Sequence, residues 1–268
     1  HSTWLSMMND RLSLARDLMK NDGVIFISID DNEVHNLNIL MNNIMGDNKT
    51  DNIIWKKTSE GRWGKMKNVK TIRKDHEYIT IGFKEELILN KMLEKPQFKN
   101  EYKNLDNDIR GPYKAGSLSK KEEFSNKDHP FYYTVISPSG KKITRQFEIS
   151  EEEFNKLNND NRIYWGKNNN SIPSIKIFIN EEREITPYSI FIEKGTNTEG
   201  KEEFLTILGE FYVNIVDNLN PKPIKLIKTL LQLGTNSHSI ILDFFAGSGT
   251  TAHAVMQLNK EDGGNRKF

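Results

Sequence analysis

Residues 240–258 read IILDFFAGSGTTAHAVMQL: a short apolar run, a glycine turn and a helical pattern in succession. Ile240, Ile241, Leu242, Phe244 and Phe245 form a nearly continuous apolar run of strand length, as expected of a strand buried on both faces, with Asp243 the exception. At Ala246-Gly247-Ser248-Gly249 the lack of side chains lets backbone approach a ligand closely. The helix that follows begins with N–H groups that have no partner inside it. Ala252, Val255 and Met256 give that helix an apolar stripe. Three ligands fit such a turn: a nucleoside triphosphate, a dinucleotide or S-adenosylmethionine. The triphosphate is disfavoured because the turn lacks the lysine of a P-loop. The dinucleotide spacing is matched only loosely, and its acidic residue would fall beyond Phe268. A turn whose glycines serve only strand-to-helix packing is the remaining alternative.

Immediately upstream, Asn220-Pro221-Lys222-Pro223 precedes Ile224, Ile227, Leu230 and Leu231, a helix with proline in its first turn. Thr235 to Ser239 links it to the apolar run. Near the start of the chain, Trp4, Met8, Leu12, Ala15 and Met19 recur at helical spacing over Thr3 to Lys20, and Asn21-Asp22-Gly23 supplies a stop. Val24 to Ile29 reads as a buried strand. Asp30-Asp31-Asn32 then offers capping oxygens to a second helix bearing Val34, Leu37, Leu40, Met41 and Ile44, which ends at Gly46. Helix, strand, helix is a doubly wound α/β signature. Asp30 stands at the carboxyl end of a strand, where such sheets bind ligands, and serves equally well as a helix cap.

Asn52 to Trp55 and Glu77 to Phe83 read as further strands. Over residues 56–74 Lys56, Lys57, Arg62, Lys65, Lys67, Lys70, Arg73 and Lys74 are set against Glu60 alone, with Trp55 and Trp63 interleaved and Gly61 and Gly64 loosening the backbone. Such a composition can track phosphates and stack on bases, the alternative being a solvated loop. From Glu85 to Glu203 the apolar runs shorten. Phe131 to Ile136 and Lys141 to Phe147 read as a hairpin around Ser137-Pro138-Ser139-Gly140, and Ser150 with Glu153 forms a capping box for a short helix through Leu157. Arg162, Tyr164 and Trp165 suit either base contact or a small core with a satisfied arginine.

A chain of 268 residues, 36% hydrophobic, can bury a core as one large domain or two modest ones. The net charge of +1 means that attraction to a polyanion must come from local clusters. The absence of cysteine excludes disulfides and thiolate metal sites and agrees with a cytoplasmic location. No apolar stretch approaches the roughly 18–20 residues that span a bilayer, so no membrane association is expected. The six histidines show no metal-ligand spacing, and no serine-protease pattern is present.

DFFAGSGTTAHAVMQLN followed by KEDGGNRKF resembles the cofactor motif of the β-class amino-methylating DNA methyltransferases, in particular the modification (Mod) subunits of type III restriction-modification systems. The resemblance extends in order through HSTWLSMM, GVIFISIDDNEV, HEYI, GPYK, NRIYWGKN and GTNTEGKEEF. It implies that the turn holds S-adenosylmethionine, with Asp243 positioning the methionine part. Phe245, Ala246, Gly247, Ser248, Gly249, Thr250 and Thr251 would form the cradle, and Lys222 and Pro223 would close over the cofactor beside Asp30. Contacts to double-stranded DNA with a flipped adenine would fall to Lys56, Lys57, Arg62, Trp63, Lys65, Lys67 and Lys70, and to His76 and Tyr78, although a histidine and a tyrosine at a strand start are more often structural.

The implied fold is a Rossmann-like S-adenosylmethionine-dependent methyltransferase sheet, incomplete in this chain, with an inserted α+β target-recognition domain. Its parts would be 1–84 and 204–268 for the methyltransferase and 85–203 for recognition. The family's catalytic Asp-Pro-Pro-Tyr does not occur between His1 and Phe268. It is expected a few tens of residues upstream, on a strand between the Ile240 and Val24 strands. No catalytic residue is therefore assigned, and the segment alone is expected to transfer no methyl group. A homodimer and a restriction (helicase-nuclease) subunit are the implied protein partners. The competing expectations are a DNA-recognition and assembly module without its own catalysis, and a nicotinamide-dependent oxidoreductase.

Overall fold

A computed structural model describes residues 1–59, 70–94, 101–209 and 219–268. The described helices and strands, in chain order, are α1 (Ser2–Leu18), β1 (Val24–Ile29), α2 (Val34–Met45), β2 (Thr50–Lys56), β3 (His76–Phe83), β4 (Met92–Glu94), β5 (Tyr113–Ser117), β6 (Tyr132–Ile136), β7 (Lys142–Gln146), α3 (Glu151–Asn159), β8 (Ile163–Tyr164), β9 (Ser174–Phe178), β10 (Arg183–Ile185), β11 (Ile190–Phe191), α4 (Asn197–Leu208), α5 (Ile224–Gly234) and α6 (Thr250–Asp262). The mixed α/β chain divides into unit 1, residues His1–Met92 with Ile185–Phe268, and unit 2, Leu93–Glu184. Unit 2 lies inside the 85–203 stretch singled out by composition.

Unit 1 is built on a sheet of order β1-β3-β2-β11, in which β3 is antiparallel to both neighbours and β11 parallel to β2. The sheet is therefore mixed, with both parallel and antiparallel pairs. β1 and β2 do run the same way, but β3 returns between them, pairing Ile29 with Tyr78 on one side and Lys56 with His76 on the other. Side chains alternate across the sheet. Ile25, Ile27 and Ile29 pack with Met8, Leu12, Leu37 and Met41 of α1 and α2. Val24, Phe26, Ile53, Trp55, Ile79, Ile81 and Phe191 pack with Leu226, Leu230 and Leu233 of α5. Thr80 interrupts the apolar α2-facing surface: its hydroxyl lies 2.9 Å from Asn52 Oδ1 and 3.2 Å from Asn38 Oδ1, fully buried.

α5 buries a second stripe. Ile224, Ile227 and Leu231 meet Ala254, Val255 and Leu258 of α6, so Met256, 57% exposed, is not part of the stripe as expected. Residues 237–241 run parallel to 265–267 through Ile241 N–H to Lys267 O (2.7 Å), Lys267 N–H to Ser239 O (3.1 Å) and Asn265 N–H to Ser237 O (2.7 Å). Arg266 holds this return in place. It is buried, donates to Thr235 Oγ1 at 3.1 Å and pairs with Asp262 at 2.8 Å, keeping that carboxyl below the ordinary carboxylate range.

The buried strand expected over Ile240–Phe245 is corrected. Only Ile240 forms a bridge, and Ile240, Leu242 and Phe245 are 78, 60 and 52% exposed. Their neighbour on one side is the 265–267 return. Among the described residues no strand pairs on the other, so the apolar side chains have nothing to be buried against.

Unit 2 combines the antiparallel sheet β5-β9-β8, the hairpin β6-β7 and α3. Its core joins Leu118, Val135, Ile143, Phe147, Phe154, Ile163 and Trp165. Tyr133 stacks on Phe147 at 4.5 Å, and burial pushes its phenol up to about 12. Ser150 accepts from Glu153 N–H at 3.2 Å, the N-cap bond expected there.

The most buried charges among the described residues of unit 2 are paired internally. Lys176, with no side-chain exposure, bonds Asp106 at 2.6 Å and Asp108 at 2.9 Å, and Arg110 takes the same Asp108 oxygen at 2.9 Å. Arg162 is bidentate to Glu181 at 2.7 and 3.0 Å and pairs with Asp160. It is the satisfied arginine of the two alternatives. The hydrogen bonds from Arg110, then from Lys176, hold the Asp108 carboxyl well below the ordinary carboxylate range against the opposing effect of burial. A depressed folded-state pKa gives stability that is fully present above the unfolded value and is lost as pH falls through the folded one. The thermal stability of the intact protein should therefore fall between about pH 5 and pH 2. Asp108→Asn should make that fall shallower; an unchanged slope would remove Asp108 from the account.

Candidate functional site

Two clusters in unit 1 collect most of the residues singled out in the sequence. The first is the turn before α6. Asp243 Oδ1 accepts from Phe245 N–H at 3.1 Å and Oδ2 from Thr251 Oγ1 at 2.6 Å, so one carboxylate ties the start of the turn to the first turn of the helix. Gly247 and Gly249 take φ of 52° and 73°, the left-handed region that favours glycine, and Ala246 O accepts from Gly249 N–H at 2.8 Å. Ser248 and Thr250 hydroxyls lie 3.0 Å apart. No side chain caps α6, whose first N–H groups therefore face outward. A Cβ on Gly249 would meet no atom within 4 Å, and one on Gly247 only Phe245 O at 3.7 Å. The turn is thus open on its outer side, with helix-end donors for an anionic group and a carboxylate for a cationic one.

The second cluster surrounds Trp55. Its indole is fully buried, donates to Gly195 O at 2.9 Å, and carries the Lys222 ammonium 5.0 Å from its ring centroid. An aromatic so enclosed is unavailable for base stacking, which corrects its expected role beside the basic segment. Glu77, opposite Trp55 in the β2–β3 register, accepts from both Lys57, at 3.1 Å, and Lys222. Lys57 and Lys222 were singled out from distant parts of the chain for different ligands; the fold places them on one carboxylate.

The segment GTNTEGKEEF closes this cluster. Thr196 and Glu199 form a reciprocal capping box at the start of α4, and Glu203 accepts from Ile224 N–H at 2.8 Å at the start of α5. A Cβ on Gly195 would stand 2.6 Å from Pro223, and one on Gly200 2.4 Å from Pro221 O, so both glycines are required where this segment meets Asn220–Pro223. Asn197 donates its backbone N–H to Lys57 O at 3.0 Å, while its buried Oδ1 has no hydrogen-bond partner among the described residues.

Arg62, Trp63, Lys65 and Lys67 lie outside the described residues. The chain on either side of them is tied down: Lys57 N–H to Asp75 O at 2.9 Å, Arg73 to Thr58 Oγ1 at 3.0 Å, and Lys74 to Asp31. Lys56 is half-buried at the end of β2, and Lys70 is exposed. His76 and Tyr78 share one face of β3, with Nε2 and OH 3.2 Å apart and rings edge to face at 5.1 Å.

Asp30 follows β1, but both of its carboxylate oxygens are taken by Asn32, at 3.0 and 2.8 Å. α2 has Glu33 at its N-cap with no side-chain cap, so the capping expected of Asp30–Asn32 is replaced by an Asx turn. In unit 2, Tyr164 borders an open cavity of about 460 Å³ together with Asp106, Asn158, Asn161, Lys167 and Asn169. Trp165 also borders it, but its indole is anchored to Asn158 Oδ1 at 3.0 Å. No cluster suited to a metal ion occurs among the described residues, and none of their helices is long and apolar enough to cross a membrane.

Comparison with known proteins gives these clusters a context. A family model described as DNA methylase matches residues 1–262. The type III restriction-modification enzyme StyLTI Mod subunit of Salmonella typhimurium is 35% identical across the whole of this chain, which covers 40% of that protein. The EcoP15I Mod subunit of Escherichia coli is 27% identical, with 46% of its length covered. The type II methyltransferase M.KpnI of Klebsiella pneumoniae is 29% identical, with 66% covered. The chain thus spans less than half the length of these two Mod subunits.

Proposed function

This chain belongs to the DNA methylase family, and on that premise we propose that it is a segment of a site-specific DNA adenine-N6 methyltransferase, the Mod subunit of a type III restriction-modification system, using S-adenosylmethionine. The observation that carries the reading is the Asp243–Thr251 turn. The uncapped start of α6 suits the carboxylate of the methionine part, and Asp243 suits its ammonium. The bound cofactor supplies an electrophilic methyl on a sulfonium. The acceptor, an exocyclic amine whose lone pair is delocalised into the ring, must be taken out of the base stack and oriented. Lys56, Lys70 and the basic residues outside the described set serve the DNA backbone, His76 and Tyr78 border the flipped adenine, and unit 2 reads the target. A homodimer and a helicase-nuclease partner accompany this assignment.

The groups that accept the amine's proton and stack on the ring belong to Asp-Pro-Pro-Tyr, which is not among residues 1–268. The segment alone therefore binds without catalysing. The test is transfer of labelled methyl from S-adenosylmethionine to duplex DNA, with the product nucleoside identified. The intact protein should yield N6-methyladenine and the 268-residue segment none. Transfer by the segment would contradict its inactivity; no transfer by the intact protein would sink the enzyme assignment. Site-specific DNA binding without cofactor binding would favour the second reading, a recognition and assembly module, which the compact, internally paired unit 2 also supports.

A further inference from the structure

We propose that Glu77 is a positioning residue that couples DNA binding to cofactor binding by dividing one carboxylate between Lys57 and Lys222; this rests on the methyltransferase reading above. Lys57 directly follows β2, on the chain leading into the basic segment. Lys222 stands two residues before α5, the helix packed against α6, which the glycine turn leads into. The two lysine side chains are 17 and 28% exposed and that of Glu77 14%, so two positive charges share one negative charge in a partly desolvated place. Their mutual repulsion there is stronger than on an open surface.

Among the described residues, Glu199 is committed to the α4 capping box and Glu203 to the start of α5. A second anion would therefore complete the neutralisation. A DNA phosphate reaching Lys57 supplies it. Once Lys57 is neutralised from outside, Glu77 pairs with Lys222 alone and the repulsion on Lys222 falls. Lys222 lies over the face of the buried Trp55, and Pro223 lies close against Gly195. The start of α5 becomes better ordered, and with it α6, the helix that the cofactor turn leads into, so less ordering is left to provide when the cofactor binds. Linkage makes the effect reciprocal: the cofactor must tighten DNA by the same factor.

The experiment measures S-adenosylmethionine affinity by calorimetry on the intact protein, with and without duplex DNA, for wild type, Glu77→Gln and Glu77→Asp. Wild type should bind cofactor at least roughly 5-fold more tightly with DNA present, within the usual range of coupling between sites. Glu77→Gln should bind both ligands with that ratio reduced to about one, and Glu77→Asp should restore part of it. A purely structural role would weaken both affinities and leave the ratio alone. An unchanged ratio in Glu77→Gln, or no tightening in wild type, overturns the proposal. Wild type that binds no S-adenosylmethionine at all would instead remove the methyltransferase reading, and the proposal with it.

Discussion

Trp55→Ala is expected to cost about 3–5 kcal/mol of stability, the range for truncating a fully buried large aromatic. The indole has no exposure, belongs to the core between the sheet and α5, and satisfies the carbonyl of Gly195. Alanine would leave a void under Lys222 and strand that carbonyl. Trp55→Phe keeps most of the ring volume and loses the N–H, so it should cost nearer about 1 kcal/mol, the net value of an ordinary hydrogen bond. Denaturant unfolding of the intact protein followed by circular dichroism separates the two. Equal losses for both variants would mean that the hydrogen bond, rather than the packed ring, sets the effect. Because the ring is also the platform on which Lys222 rests, Trp55→Phe retains the platform and should retain cofactor affinity.

Asp243→Ala in the intact protein is expected to weaken S-adenosylmethionine binding by at least roughly 10-fold. Hydrogen bonds to a charged group contribute about 1.5–3 kcal/mol each, and alanine removes the group that shapes the turn and the negative charge facing the ligand. Asp243→Asn separates these roles. The amide still meets Phe245 N–H with its oxygen and Thr251 Oγ1 with its nitrogen, so the turn persists while the charge is gone. An intermediate affinity by calorimetry is the expected result. Wild-type affinity in Asp243→Ala would exclude the turn as the cofactor cradle.

Local pattern made much of unit 1 legible. α1, β2 and β3 begin and end within two residues of where periodicity and turn residues placed them, and the β6–β7 hairpin follows from Ser137-Pro138-Ser139-Gly140. Lys57 and Lys222 were each visible in the sequence, but Glu77 was not. A glutamate between a histidine and a tyrosine carries no local signal; its importance arises because β3 returns between β1 and β2 and faces a segment 145 residues away. The same distance hid the fate of Trp55, whose basic neighbours suggested solvent while its alternation with Ile53 pointed to the core. The Ile240 run misled in the opposite sense. Its composition is that of a buried strand, but burial depends on neighbours that composition does not contain.

Thr80 carries a different kind of information. Its hydroxyl sits between two asparagine amides on the sheet's α2-facing surface. If β3 slipped by one residue in either direction, Ile79 or Ile81 would be delivered to those amides and the threonine to the hydrocarbon of the opposite face. Both errors are costly, since each leaves buried polar groups without partners. The threonine thus works as an alignment mark. It contributes less by strengthening the correct pairing of β1, β3 and β2 than by penalising the neighbouring ones, and it fixes which side of β3 Glu77 faces.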